Sequence, residues 1–571
     1  MFLIINFLKK KQAALVFFIT FLIYSPLLLN HYVGDDSVII ERNTFYHSWK
    51  NIPRVFGEGS VFNAQAVYFN NELRSDFGTG KDSYRPISDL SYFIDYYLFK
   101  AKPFGSHLIN ILIHCVNAVL VYWIVNLIFS SSVFGVFAGL LFSLHPIQSE
   151  AVAVMSLRAD ILAALFVLCS FYCWIKFKEG GYVGKKYYAG SLIMYFLALF
   201  TKESAFILPL VILLFDQVLG SPRLGLKQRG ICYLGFIPIF ILFLYLYFVV
   251  FPSPLAALRA FHWLGGSFVN HCLIMGQIWF SYLINILMPW TVKMMPGHYC
   301  PSVPGVVTAE IGMALIVFIT ILYRFWRSYK ECAFFLLWYL VFYLPISNLI
   351  PIANPVACHY MYLPSIGLLI VLAFFLDKVF KSTFLKKYSQ SLLNILYVAI
   401  IMFCVTRTLV LNDDWKSDCD RGYAWIRDYP TDYQGYAMLG ELYFNAGDVK
   451  KAKEYLGKSV LLNNQMPSDV LILAESYRLL GKSSIAESLL KQIILRHPNY
   501  QAPLFFLGEI YYDQKNNQQA QEVLEKALLL DPTNPAGYSL LKKVYLNLHK
   551  FESARNLLKR ADFYLNEQNA L

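Results

Sequence analysis

Two adjacent carboxylates, Asp35 and Asp36, follow Gly34 a few residues beyond an apolar run. Like charges at short range, partly withdrawn from water, raise one pKa, so such a pair can supply a general base for an acceptor hydroxyl. A solvated Asp pair capping a loop helix is the plainer reading of the same spacing. Further polar groups recur at the ends of later apolar runs: Arg85 in Ser83-Tyr84-Arg85-Pro86, His145 and Glu150 in His145-Pro146-Ile147-Gln148-Ser149-Glu150, Arg158 with Asp160, Lys202 with Glu203, and His359 close before Tyr362. Ionisable groups at membrane depth are costly, so by default they are functional or mutually paired. Arg85, Arg158, Lys202 and His359 beside an acidic loop suit a lipid-linked phosphate donor: the cations neutralise the leaving phosphate while a carboxylate activates the attacking hydroxyl. Arg158 with Asp160, or Lys202 with Glu203, are alternatively neutral structural pairs. No matching His or carboxylate spacing supports a divalent metal site, and no cofactor is expected. His107, Asn110, His114 and Asn117 form a polar stripe at i, i+3, i+7 and i+10, a pattern that more often joins helices than binds a ligand.

The elements that must position these groups are membrane helices. The chain has 571 residues, 57% hydrophobic and 15% charged, against roughly 25% charged in a soluble globular protein. A purely soluble enzyme is excluded. Apolar runs cover residues 12–30, 106–129, 132–147, 159–177, 187–201, 204–219, 230–251, 268–289, 306–323, 332–349, 361–379 and 389–408. Residues 411–571 hold 19 Lys and Arg against 20 Asp and Glu, whereas residues 1–410 hold 30 against 17, so the net charge of +12 belongs to the apolar part. Its cations cluster between runs, at Lys176, Lys178, Lys185 and Lys186; at Arg223, Lys227 and Arg229; at Arg324, Arg327 and Lys330; and at Lys378, Lys381, Lys386 and Lys387. Such clusters mark cytoplasmic loops and give no support to a nucleic-acid partner. A cytoplasmic start then leaves one run that must fail to cross. The weakest is 268–289, which carries Asn270, His271, Gln277 and Asn285 and is expected to be re-entrant or to lie along the outer interface. The membrane domain, residues 1–410, is thus expected to have about 11 transmembrane helices, a cytoplasmic N-terminus and an extracytoplasmic first loop at 31–103.

After a connector at 411–431, blocks of 34 residues align without a gap at 432–465, 466–499, 500–533 and 534–567. That period is the one of tetratricopeptide repeats. Leu439, Leu473, Leu507 and Leu541 share one column, Tyr443, Tyr477, Tyr511 and Tyr545 a second, and Ala452, Ala486, Ala520 and Ala554 a third. Gly447 and Gly481 make the turn between helices, a place that Lys515 and His549 take in the later repeats. A stack of helical pairs presents a concave surface suited to a polypeptide partner, with a prop for the membrane domain as the alternative. The fold class is all-α throughout.

Taken together, these residues resemble the transmembrane and tetratricopeptide repeat-containing family, GT-C glycosyltransferases of which several are protein O-mannosyltransferases. The resemblance covers nearly the whole chain in the same order. Asp35-Asp36 with Asn43 looks like the family's first-loop acidic motif, and Ser83-Tyr84-Arg85-Pro86 like its next signature. The stretch His145-Pro146-Ile147-Gln148-Ser149-Glu150-Ala151-Val152, followed by Arg158-Ala159-Asp160, is similar to its most specific elements. Lys202-Glu203 and Tyr360-Met361-Tyr362-Leu363-Pro364-Ser365 are similar to later ones. Cys358-His359 stand where the family often has Glu-Arg, and Leu157 replaces a Gly.

The resemblance implies a polytopic GT-C membrane domain followed by a repeat α-solenoid. It implies transfer of a sugar, mannose among the candidates, from a polyprenyl-phosphate donor to a hydroxyl acceptor such as protein Ser or Thr. The reaction takes place at the extracytoplasmic face with inversion. Asp35 is then the base, Asp36 its support, and Arg85, His145, Glu150, Arg158, Asp160, Lys202, Glu203, His359 and Tyr362 surround the donor. The short repeat array favours a bacterial inner membrane, with the endoplasmic reticulum membrane as the eukaryotic equivalent. The competing reading is a non-catalytic membrane scaffold whose repeats recruit envelope proteins.

Overall fold

The computed structural model describes residues 2–57, 84–100, 102–220, 226–250, 263–294, 305–349, 354–380, 390–463 and 466–567. Residues 58–83 of the first loop, Arg223, Lys381, Lys386 and Lys387 lie outside the described residues. Among the described residues every regular element is helical, so the fold is all-α. The chain divides into two compact units between Asp420 and Arg421.

Among the described residues of the first unit seven helices are long and apolar enough to cross a membrane: Lys11–Leu29, Pro103–Phe129, Met155–Glu179, Gly230–Val250, Glu310–Ser328, Cys358–Val379 and Ile395–Asp414. An eighth span results if Ser132–Leu144 and Pro146–Ala153, bent by 49° at His145, are taken together. Lys185–Leu199, Leu208–Leu219 and Lys330–Tyr343 have 15, 12 and 14 residues. At about 1.5 Å per residue each falls short of the roughly 30 Å of hydrocarbon by itself. Phe268–Leu287 is one unbroken helix of 20 residues, so it shows no re-entrant break, and it is not among the candidate spans of the described residues. Of its polar residues Asn270 is exposed, His271 Nε2 lies 2.6 Å from the Asn348 carbonyl, and Gln277 and Asn285 are buried.

The helices sort by what surrounds them. Pro103–Phe129 and Met155–Glu179 are mostly buried within the unit. Gly230–Val250 and Glu310–Ser328 instead turn Ile237, Ile241, Ile316 and Ile319 outward. Apolar rows of that size left in water would make an aggregation surface, whereas lipid solvates them. The chain is a membrane protein.

The second unit is a run of helical pairs: Tyr433–Asn445 with Val449–Leu462, Pro467–Leu479 with Ser483–Arg496, Gln501–Asp513 with Asn517–Leu530, and Pro535–Asn547 with Phe551–Glu567. The 34-residue columns become its core. Leu439, Leu473, Leu507 and Leu541 are buried, as are Ala452, Ala486, Ala520 and Ala554. Each buried Leu stabilises the stack by about 1.5–3 kcal/mol. Gly440 and Gly508 permit the close approach within a pair, since a Cβ there would meet Leu456 or Leu524 at 2.5 or 2.6 Å. The turn between paired helices has positive φ in all four repeats, at Gly447 (81°), Gly481 (72°), Lys515 (61°) and His549 (56°). The last two hold by tertiary context a conformation that glycine adopts freely.

Candidate active site

The adjacent carboxylates Asp35 and Asp36 end up in opposite roles. Asp36 is fully buried, and its carboxylate accepts the backbone amides of Ser156 at 2.7 Å, Met155 at 3.2 Å and Val33 at 3.4 Å. Burial pushes its pKa up to about 6 against the pull of those amides. Asp35 is exposed, and its side chain has no hydrogen-bond or ion-pair partner among the described residues. Its backbone carbonyl caps the next turn by accepting from Val38 and Ile39. On the other side of the loop, Gly34 N–H donates to Asp418 Oδ1 at 2.8 Å and His31 N–H to the Lys416 carbonyl at 3.0 Å. One carboxylate is therefore an anchor, and its neighbour stands free between two anchored points.

The candidate cations are paired, though not as their sequence neighbours suggest. Arg85 donates to both oxygens of Glu203, at 2.9 and 2.6 Å. Lys202 Nζ meets Asp160 Oδ1 at 2.5 Å. His359 Nδ1 lies 3.3 Å from Glu150 Oε1, while its backbone amide donates to Glu150 Oε2 at 2.8 Å. The neutral pairs Arg158–Asp160 and Lys202–Glu203 do not form: residues 158 and 160 lie two apart on one helix and do not face each other, while Lys202 is extended where Glu203 opens a short helix. Burial alone would raise the Glu203 pKa, but the Arg85 guanidinium brings it down to about 2. Glu203 in turn holds Arg85 well above its usual range although burial opposes this.

Tyr360 joins these pairs into one cluster. Lys202 Nζ stands 5.7 Å from its ring centroid and the His359 ring 4.5 Å. The hydroxyl donates to the Asn354 carbonyl at 3.0 Å. Arg85 and Glu203, half-exposed, form the open side of the cluster.

Three expected donor ligands are withdrawn from it. Arg158 is fully buried, and its guanidinium binds Asp95 through two contacts of 2.7 and 2.6 Å, Asn110 Oδ1 at 2.7 Å, Ser91 Oγ at 3.2 Å and the Ser106 carbonyl at 3.2 Å. No donor is left for a phosphate. His145 is buried, accepts the Ile147 amide at Nδ1 and donates from Nε2 to the Ile286 carbonyl, 3.1 Å away. Tyr362 is buried with its hydroxyl 2.7 Å from His114 Nδ1 and 3.0 Å from Asn117 Nδ2. Both serve packing: His145 at the bend between helices, Tyr362 as the far end of the polar stripe. The stripe itself joins helices, since Asn110 donates to the Val152 and Val154 carbonyls, His114 lies 3.0 Å from the Ser143 carbonyl and Asn117 donates to the Ile161 carbonyl.

A tetratricopeptide repeat family model matches residues 481–543 and 512–570, and a second one matches 433–466. "Protein O-mannosyl-transferase F38B6.6" of Caenorhabditis elegans is 22% identical over 451 residues, which are 77% of this chain and 61% of the relative. "Protein O-mannosyl-transferase TMTC3" of Mus musculus is 24% identical over 452 residues, 71% of this chain and 47% of the relative. A shorter match, to "Protein O-mannosyl-transferase TMTC1" of Homo sapiens, reaches 37% over 107 residues, 19% of this chain and 12% of the relative. The chain is a homologue of the TMTC proteins. It spans 61% of the nematode relative's length and 47% of the mouse one's. Among solved structures, the crystal structure of MamA protein is similar over 26% of this chain and 86% of its own, at 21% identity and a TM-score of 0.24.

Two residues of this TMTC homologue escaped the sequence reading. Asp95 lies on helix Pro86–Phe99 with Ser88 and Tyr92 at i, i+4 and i+7, all buried. That periodicity marks one inward face, so an ionised residue on it needs a buried partner. Asp418 offered no such signal, since it sits in the connector, 384 residues from Gly34.

Proposed function

We propose that the protein is a membrane glycosyltransferase that passes a sugar, mannose in the simplest reading, from a polyprenyl-phosphate donor to a hydroxyl of a polypeptide Ser or Thr. The observation that carries the proposal is the free Asp35 carboxylate held between two anchored points, on a loop tied to the segment that bears Asp160 and so meets Lys202. The printed names of the relatives favour sugar transfer to protein, and the repeats favour a polypeptide partner.

In this reading Asp35 takes the proton of the acceptor hydroxyl as its oxygen attacks the anomeric carbon. The bond from that carbon to the phosphate oxygen breaks, and the configuration inverts. The polyprenyl phosphate leaves with the bonding electrons. Lys202 and Arg85 receive its charge by exchanging Asp160 and Glu203 for phosphate oxygens, a trade between charge-assisted hydrogen bonds of similar strength. His359, held by Glu150, lines the same cluster. In this reading the reaction takes place at the extracytoplasmic face, the side that the basic loop clusters favour for the first loop.

The test is transfer from polyprenyl-phosphate mannose to a Ser/Thr-rich peptide by the purified full-length chain. Asp35→Asn is expected to abolish transfer while the protein stays inserted and folded. Retained activity removes Asp35 from the base role, and absence of transfer by the wild type with any lipid-linked sugar favours the scaffold reading.

A further inference from the structure

The Asp35 loop is held on one side by Asp36, which reaches the amides of Met155 and Ser156. What holds the other side comes from the far end of the membrane unit. Asn30 Nδ2 donates to the carbonyls of Asn412 and Trp415, at 3.4 and 3.2 Å, and His31 N–H donates to the Lys416 carbonyl at 3.0 Å. The last contact before the acid pair is the 2.8 Å bond from Gly34 N–H to Asp418 Oδ1. It differs in kind from the others, being the only one of these in which an ionised side chain receives a loop amide, and charge-assisted bonds are about twice as strong as neutral ones. It also acts where the backbone is least constrained, because Gly34 has φ of 56° and no side chain to lock it.

Residues 35 and 36 then have a defined geometry for a physical reason. Gly34 N–H is pinned from one side and the Asp36 side chain from the other, so Asp35, one residue from each pin, has little room to swing. Removing the Asp418 carboxylate is expected to free the Gly34 peptide to rotate and so to loosen the stance of the Asp35 carboxylate, while Asp36 keeps its own amide donors.

We propose that Asp418 is a positioning residue for the transfer reaction, setting the stance of Asp35 through Gly34. This rests on the reading of Asp35 as the base. Asp418 also opens helix Asp418–Asp428, whose residues from Arg421 onward belong to the repeat unit. The link from the end of the membrane unit to the repeats therefore starts at the residue that restrains the reactive loop.

The test compares Asp418→Ala with Asp418→Asn in the full-length chain, using polyprenyl-phosphate mannose and a Ser/Thr-rich peptide. Asp418→Ala is expected to lower kcat by about 10- to 100-fold, the scale of an ångström's misplacement, with the donor KM within about twofold of wild type. Asp418→Asn keeps an oxygen acceptor for Gly34 N–H and is expected to restore most of kcat. Hydrogen–deuterium exchange over residues 31–36 is expected to quicken in Asp418→Ala alone. Wild-type kcat in Asp418→Ala, or an Asp418→Asn as impaired as the alanine variant, overturns the proposal. Should the wild type transfer no sugar, the proposed function fails and Asp418 loses its catalytic meaning; unchanged exchange in Asp418→Ala overturns the restraint itself.

Discussion

Asp36 accepts the amide of Ser156, 120 residues downstream, at 2.7 Å. Through this contact the first loop is tied to the segment from Glu150 to Asp160, which carries at its two ends the carboxylates that hold His359 and Lys202. The segment is clamped by other elements as well: Asn110 takes the Val152 and Val154 carbonyls, and Tyr92 donates to the Met155 carbonyl at 3.2 Å. Loop, carboxylates and cations thus share one rigid support.

Arg158 and Asp95 carry that support rather than the chemistry. Breaking a buried ion pair leaves an uncompensated charge and costs about 3–5 kcal/mol, whereas replacing both partners by apolar residues of similar volume is often neutral. Arg158→Met and Asp95→Leu are each expected to lower the melting temperature sharply, and the double variant to recover much of the loss. Additive losses in a thermal-denaturation cycle would mean that the two do not act as a unit.

Lys202 is expected to act on the donor. Lys202→Ala removes the cation facing Tyr360 and should raise the donor KM about tenfold, or about 1.4 kcal/mol, with a smaller effect on the peptide acceptor. Steady-state kinetics varying each substrate in turn decide this. A KM for the donor equal to that of wild type counts against the assignment.

The repeat unit contains a titratable strain. Burial, and after it the charge of Asp469, pushes Glu441 up from its ordinary 4.5 to about 7. The folded state thus holds the proton more tightly than the unfolded one. The stability linked to Glu441 is fully present below about pH 4.5 and is lost as the pH rises through about 7. Glu441→Gln is expected to flatten this slope and to melt a few degrees above wild type at pH 8, corresponding to about 1 kcal/mol. Equal pH dependence of the two melting curves would rule the effect out.

Lys515 and His549 occupy left-handed turns that Gly447 and Gly481 occupy in the earlier repeats. A left-handed residue other than glycine costs roughly 1–2 kcal/mol, partly offset by glycine's greater freedom in the unfolded chain. Lys515→Gly and His549→Gly are each expected to stabilise the repeats by about 0.5–1 kcal/mol. Chemical denaturation followed by circular dichroism checks it; a loss of stability would show that these side chains make contacts worth more than the strain.

Much of this architecture is legible along the chain because its signals are local or periodic. The 34-residue columns place Leu439, Ala452 and their equivalents in a core without reference to any distant residue, since each repeat packs mainly on its neighbours. The apolar runs announce helices for the same reason, as helical hydrogen bonds close within a few residues. The spacing of His107, Asn110, His114 and Asn117 likewise puts them on one helix face and foretells the bonds to neighbouring elements that Asn110, His114 and Asn117 make.

Pairing of charges is another matter. Arg158 sits two residues from Asp160 yet binds Asp95, and Lys202 sits beside Glu203 yet binds Asp160. Nothing local selects among these partners: the low dielectric of the interior makes any well-placed carboxylate a strong match, and helix packing alone determines which one is within 3 Å. The same holds for the acid pair. From residue types alone Asp35 and Asp36 are equivalent, and it takes contacts from residues 155, 156 and 418 to make one an anchor and leave the other free. Composition and period therefore determine which helices exist and which faces are buried, while the assignment of each ionised group to a partner or to solvent arises only when elements hundreds of residues apart are brought together.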